Sequence, residues 1–218
     1  MITILYADCS SSYVSEEAYF YWLPYLSDTM QKQVLSYKIK RDAYLSLAGK
    51  VLLYKALQKE DSSHAKLSEI TYTDFRRPFV PDLDMDFNIA HSEDFAIIAY
   101  TRYGKVGIDL ERMIAVRPED FKSQMSMDEW MRIENAVDQQ TAFYVYWTQK
   151  EAVLKANGKG MYIPLQSFQI QTDFTYLEGD NWFLKEIQIA DGYKCHLAMN
   201  QEQSVEIYNL TREIWNID

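Results

Sequence analysis

The chain has 218 residues, 48% of them hydrophobic and 15% aromatic, with a formal net charge of -10. That length holds one large domain or two small halves around a shared core; the apolar content excludes a disordered chain, and the acidic balance argues against a general nucleic-acid binder, whose surface is basic. Cys9 and Cys195 are too few for a disulfide framework or a structural zinc site and fit a reduced setting, and no stretch reaches the ~18 apolar residues of a membrane span, so a cytoplasmic protein without nucleic-acid or membrane partners is expected.

In chain order, "ITILYA" (2–7) alternates as a first strand. Asp8 interrupts its apolar run and no basic segment precedes it, so it reads as a strand and not as a signal peptide. Ser27 stands where an N-cap would open a helix. "DAYLSLAGKVLLYKALQ" (42–58) repeats apolar residues at spacings of 3 and 4 and predicts a long, largely buried helix. "LSEITYTDF" (67–75) alternates as a strand, "RRPFVPDLDMD" (76–86) is a loop set by two prolines, and "FNIAHS" (87–92) is a short strand. "FAIIAYTRYGKVGIDLER" (95–112) predicts a hairpin turning at Tyr103, Gly104 and Lys105. From 118 the pattern is helical again. The helix around 139–156 stops at "NGKG", where Asn157 or Gly158 takes the left-handed C-cap. "LQSFQIQ", "WFLKEIQIA", "YKCHLAM" and "SVEIYNL" then alternate as an antiparallel set.

The order of strand, helices and strands occurs twice. A shift of 100 residues also places Asp28 on Asp128, Tyr44 on Tyr144, Lys50 on Lys150, Lys55 on Lys155 and Ala56 on Ala156. The fold class expected is α+β in two pseudo-symmetric halves, 1–103 and 104–218, each an antiparallel sheet packed with helices. Two internal halves predict a monomer.

Three clusters carry chemistry. In "GIDLERM" (107–113), Asp109 and Glu111 point to one face of a strand while Ile108 and Leu110 point to the other. Such paired acids fit either a solvated strand edge or a divalent-cation site that needs a third oxygen ligand. In "WTQKEAVLKANGKG" (147–160), Trp147, Glu151, Leu154 and Lys155 share a helix face, with Lys150 and Lys155 flanking the acid. That pattern fits a Glu–Lys pair at i, i+4 with a basic C-terminus that suits the dipole, or a helix that delivers an acid to a site. In "FNIAHS", His91 lies between Asn88 and Ser92. It is either a structural hydrogen bonder or, together with Arg76 and Arg77, a phosphate holder.

The order and spacing of these three clusters, with "KRDAYLSLAG" (40–49), "RRPFVPD" (76–82) and "GKGMYIPLQSF" (158–168), resemble the larger, two-half class of 4'-phosphopantetheinyl transferases. The resemblance covers most of the chain and weakens after 175. It implies a cleft between the halves that binds coenzyme A, with Asp109, Glu111 and Glu151 as Mg²⁺ ligands and Lys155 as the catalytic-helix lysine. His91 and Arg77 match phosphate contacts, and Asn88 and Ser92 join them as coenzyme A contacts. Ala90 replaces a serine of the family's usual "SHS". Leu45 replaces a common arginine, and Met30 and Gln33 stand where related chains can have basic residues, so Lys32, Lys40 and Arg41 become the candidates for the 3'-phosphate. The implied reaction is Mg²⁺-dependent. A serine of an acyl or peptidyl carrier protein attacks the β-phosphate of coenzyme A, giving the holo-carrier and 3',5'-ADP. Glu151 is the candidate base, acting through water, because a carboxylate on Mg²⁺ is itself a poor base. Residues 113–131, with Met113, Phe121, Met125, Met127, Trp130 and Met131, are either core or an adaptable surface for the carrier. The rival readings are a non-catalytic coenzyme A-binding protein and a metal-dependent phosphohydrolase.

Overall fold

The structure is a computed structural model that describes residues 1–60, 67–81 and 83–217. In chain order the elements are β1 (Ile2–Asp8), α1 (Glu16–Trp22), α2 (Asp28–Ser36), α3 (Lys40–Glu60), β2 (Thr71–Tyr72), β3 (Pro78–Phe79), β4 (Asp86–Ser92), β5 (Phe95–Thr101) and β6 (Val106–Arg112). They continue with α4 (Met127–Glu134), α5 (Gln139–Asn157), β7 (Phe174–Leu177), β8 (Asp180–Glu186), β9 (Tyr193–Met199), β10 (Val205–Asn209) and α6 (Thr211–Trp215).

Two four-stranded sheets result, ordered β10-β1-β5-β4 and β6-β9-β8-β7. Alternation along the strands sorts their side chains. Ile2, Ile4, Ile97 and Ala99 of the first sheet meet Val106, Ile108, Leu110, Leu197 and Met199 of the second in a shared core. The other face of the first sheet, with Leu5, Ala7, Ile98 and Tyr100, packs under Leu47, Val51 and Leu52 of α3. The far side of the second sheet packs under Ala152, Val153 and Ala156 of α5. The layers are therefore helix, sheet, sheet, helix: two α+β halves, each with one long helix on its outer face.

Helix ends follow the residues that cap them. The Ser27 side chain accepts from Met30 N–H, and Ser126 with Glu129 forms a capping box on α4. Gly158 ends α5 in the left-handed conformation at φ 90°, as the sequence predicts.

Four expectations change. Residues 95–112 are not a hairpin. Both edges of β5 are occupied, by β1 and β4, so the chain crosses at 102–105 into the second sheet, where β6 pairs with β9. Gly104 makes that crossing at φ +78°, with Asn200 packed where a Cβ would sit. "LSEITYTDF" forms a 3-10 turn and only a two-residue strand, because the chain reverses at 73–77, where Arg76 N–H bonds Thr73 O and Thr73 N–H bonds Arg77 O. The proline loop that follows holds the short strand β3, and its Asp82 lies outside the described residues. "LQSFQIQ" is not a strand either. The carbonyls of Leu165 and Phe168 bend inward to accept from Lys150 Nζ, and so leave the ladder. Its apolar residues Leu165, Phe168 and Ile170 are buried, but they do not alternate, and Leu165 sits in a 3-10 turn. Finally, "SVEIYNL" returns to the first sheet. There β10 runs parallel to β1, and α6 follows with Ile214 and Trp215 in the first core.

Candidate active site

Position 107 decides how close α5 comes to β6. A Cβ on Gly107 would lie 2.2 Å from Ala152 O and 2.3 Å from Ala156 N, so only glycine lets the helix sit directly on the strand. The next two residues of β6 on that face are Asp109 and Glu111, and the helix above them carries Glu151 and Lys155. Asp109 is buried at 3% exposure, and its Oδ1 accepts from Lys155 Nζ at 2.5 Å. Glu111 Oε2 accepts from Ser92 Oγ at 3.0 Å.

The electrostatics bind these groups into one cluster. Burial and the neighbouring Asp109 raise the pKa of Glu111, against the hydrogen bond from Ser92. Burial and Asp109 likewise raise that of Glu151. Burial works against the Lys155 charge, but Asp109, Glu151 and Glu111 together outweigh it and hold the ammonium above the usual lysine value. Among the described residues, no three His, Cys, Asp or Glu side chains stand close enough to hold a metal ion as they are placed. Even so, the donor set fits a hard cation. Asp109 Oδ2 is buried with no hydrogen-bond partner, and an orphaned carboxylate oxygen beside two mutually repelling acids is a position that a divalent cation relieves.

The phosphate-side candidates separate into two groups. His91 follows on β4, where desolvation and then Lys155 and Lys50 lower its pKa. Among the described residues, Lys50 of α3 has no carboxylate partner. Its Nζ donates to Ser46 Oγ at 2.8 Å, and burial lowers its pKa to about 8. Lys50 of α3 and Lys155 of α5 thus both act on this one histidine. Sequence reasoning noticed Lys50 only as a member of the repeat, and nothing in its local pattern points to His91.

Arg77 is mostly buried at the junction of the halves. Its Nη2 donates to Asp86 Oδ2 at 2.6 Å and Val106 O at 2.8 Å, while its Nη1 is buried without a partner. Its stem packs against Gly158 at the end of α5. Asn88 commits its carbonyl to Ile108 N–H at 2.9 Å, and Ser92 commits its hydroxyl to Arg112 N–H and Glu111. Lys40 and Arg41 are exposed and paired with Glu16 and Glu93, each at 2.5 Å. The structure thus gathers Asp109, Glu111, Glu151, Lys155 and His91, lines the junction with Arg77, Asn88 and Ser92, and pairs Lys40 with Glu16 and Arg41 with Glu93, the residue after Ser92.

Lys150 does not flank Glu151 in space. It points into the core, fully buried, and pairs with the equally buried Glu129 at 2.9 Å. The methionine-rich segment divides: Met125 and Trp130 are core, and Met113 and Phe121 pack on them. Met127 is 80% exposed, with Met131 and Ile114 also open to solvent.

A family model described as the 4'-phosphopantetheinyl transferase superfamily matches residues 105–198, and one described as 4'-phosphopantetheinyl transferase, N-terminal, matches residues 14–102. The 4'-phosphopantetheinyl transferase gsp of Aneurinibacillus migulanus is 30% identical over 203 residues, covering 85% of each chain. This chain belongs to the 4'-phosphopantetheinyl transferase family. The transferase Sfp of Bacillus subtilis (strain 168) is 27% identical over 72% of this transferase and 71% of its own length. A putative 4'-phosphopantetheinyl transferase of Haemophilus influenzae is 33% identical over 75% and 72%. The two family models meet at the crossing between the sheets, at residues 102–105. Among the described residues of this transferase, no helix is long and apolar enough to cross a membrane.

Proposed function

We infer that this transferase moves the 4'-phosphopantetheine arm of coenzyme A onto a serine of an acyl or peptidyl carrier protein, with 3',5'-ADP as the other product. The serine oxygen forms a bond to the β-phosphorus, the bond from that phosphorus to the oxygen bridging the α-phosphate breaks, and the hydroxyl proton leaves to a base. Asp109, Glu111 and Glu151 are the residues that would hold Mg²⁺, and the orphaned Oδ2 of Asp109 is the observation that carries this assignment. When bound, the ion neutralises pyrophosphate charge.

The chain's own groups supply the rest. Lys155 has three N–H donors and gives one to Asp109, which leaves two for phosphate oxygens. Its charge gains value as the departing phosphate becomes more negative, which is the differential stabilisation that raises rate. His91, whose pKa is lowered by desolvation and then by Lys155 and Lys50, offers phosphate a hydrogen bond. Glu151, on the helix face above the strand acids, takes the proton through an intervening water, since a carboxylate that would hold Mg²⁺ is itself a poor base. The exposed Met127, Met131 and Ile114 offer the carrier an adaptable apolar contact, and at a net charge of -10 the protein does not draw an acidic partner by global attraction.

The test is a mass measurement on an apo-carrier incubated with coenzyme A, Mg²⁺ and the protein. A gain of one phosphopantetheine arm is expected. Coenzyme A binding without a mass gain, or hydrolysis of coenzyme A with the carrier unchanged, would overturn this function.

A further inference from the structure

β4 and β6 lie at the edges of different sheets, and no main-chain ladder joins them. The ladder of β6 with β9 uses the N–H groups of odd-numbered residues, as the bond from Met113 N–H to Gly192 O continues to show. The N–H groups of the even residues therefore face β4, where unpaired donors would be costly to bury. Side chains of β4 take their place. Asp86 Oδ2 accepts from Val106 N–H at 2.7 Å, Asn88 Oδ1 from Ile108 N–H at 2.9 Å, and Ser92 Oγ from Arg112 N–H at 3.0 Å. The offset is constant, so the two strands run in register and in the same direction. At the remaining position Ala90 faces Leu110 N–H and offers it no acceptor.

Ser92 does two things at once. Its oxygen accepts from Arg112 N–H, and its single proton goes to Glu111 Oε2. Donating to a substrate phosphate would break the bond to Glu111. That bond also has a purpose of its own. Asp109 and Glu111 point to the same face and repel, so an unrestrained Glu111 would swing away from its neighbour.

We propose that the β4–β6 seam fixes the cleft and that Ser92 is a positioning residue, holding Glu111 beside Asp109 for the cation rather than contacting coenzyme A. The proposal rests on the metal assignment made above and adds the group that orients one of its carboxylates. Asn88 and Asp86 keep the two strand edges in register, so that His91 of one half stays opposite the acids of the other.

The test compares Ser92→Ala and Ser92→Thr with the unaltered protein. Mn²⁺ affinity is read by electron paramagnetic resonance without coenzyme A or carrier, and kcat and the KM for coenzyme A are read in the transfer assay. Ser92→Ala is expected to lose about tenfold to a hundredfold in metal affinity and kcat, the usual cost of removing a partner of a metal-ligating group, with the KM for coenzyme A unchanged when Mg²⁺ is saturating. Ser92→Thr, which keeps the hydroxyl, is expected to recover most of both. A raised KM with unchanged Mn²⁺ affinity would make Ser92 a substrate contact, and a lower melting temperature alone would make it merely structural; either overturns the proposal. If the unaltered protein binds Mn²⁺ and transfers nothing, the proposed function fails while the metal readout still decides the role of Ser92. Ala90→Ser tests the seam separately. Supplying an acceptor to Leu110 N–H is expected to raise the melting temperature, and an unchanged or lower value counts against the seam.

Discussion

Replacing Lys150 with methionine should destabilise the protein severely while leaving the acid cluster intact. Lys150 and Glu129 are both fully buried and 2.9 Å apart. The ammonium also donates to Leu165 O at 2.8 Å and Phe168 O at 2.7 Å, so it ties α5 to α4 and to the 165–170 segment. Glu129 in turn accepts from Ser126 and Ile170 N–H. Burial outweighs the attraction of Glu129 and holds the lysine pKa below its usual value, so the pair is expensive to assemble and more expensive to break. Removing one partner of a buried pair leaves the other uncompensated, at about 3 to 5 kcal/mol. At roughly 2 to 4 °C per kcal/mol for a chain of this size, the melting temperature should fall by about 6 to 20 °C. Calorimetry on Lys150→Met, on Glu129→Gln and on the double variant checks the cause. The double variant carries no orphaned charge and should be more stable than Lys150→Met alone. A melting temperature within error of the parent, or a double variant with simply additive losses, would refute the reasoning.

Gly107→Ala should cost at least about 1 to 3 kcal/mol, as overpacking does, because the new Cβ meets helix backbone and not a flexible side chain; a thermal melt checks it. His196, hydrogen-bonded to Thr148 between β9 and α5, has its pKa lowered by burial from 6.5 to about 4, with Glu186 and Lys194 as its charged neighbours. The unfolded chain therefore binds the extra proton first, so its contribution of about 3 kcal/mol is present above pH 6.5 and lost as pH falls to about 4. His196→Asn should flatten that part of the melting-temperature profile. Lys155→Ala should lower kcat by on the order of 10² to 10³-fold, by analogy with other charge-stabilising donors, and Lys155→Arg should recover only part; steady-state kinetics with coenzyme A checks both.

Much of the site was legible because strand and helix periods are strict. Period two puts Asp109 and Glu111 on one face whatever surrounds them, and the left-handed cap at Gly158 bounds the helix that brings Lys155 to Asp109. The same periods mislead where a tertiary partner takes over. Leu165, Phe168 and Ile170 are buried as apolar residues should be, but not in alternation, and Lys150 draws two carbonyls of this segment out of any ladder. Lys150 itself sits next to Glu151 in sequence, yet one step around a helix turns it into the core. The hairpin at 95–112 fails because β5 has no free edge, which only the pairing of β1 with β5 reveals. The seam is least legible of all. It joins side-chain acceptors on one strand to backbone donors on another, and neither composition nor spacing records which backbone groups lack a partner. Lys40 and Arg41 drew notice as cations, and their acidic partners, Glu16 and Glu93, lie far away in sequence.

The central claim is that the Asp109 cluster holds the cation that transfer requires. Its most direct test is the single-turnover rate of arm transfer to an apo-carrier, followed by mass across a Mg²⁺ titration for the parent and for Asp109→Ala. The account predicts a saturable Mg²⁺ dependence in the parent, abolished by a chelator. For Asp109→Ala, with its apolar strand face intact and its fold confirmed by a melt, it predicts no transfer at any Mg²⁺ concentration. Parent turnover that survives chelation, or an Asp109→Ala variant that transfers at the parent rate, would contradict it.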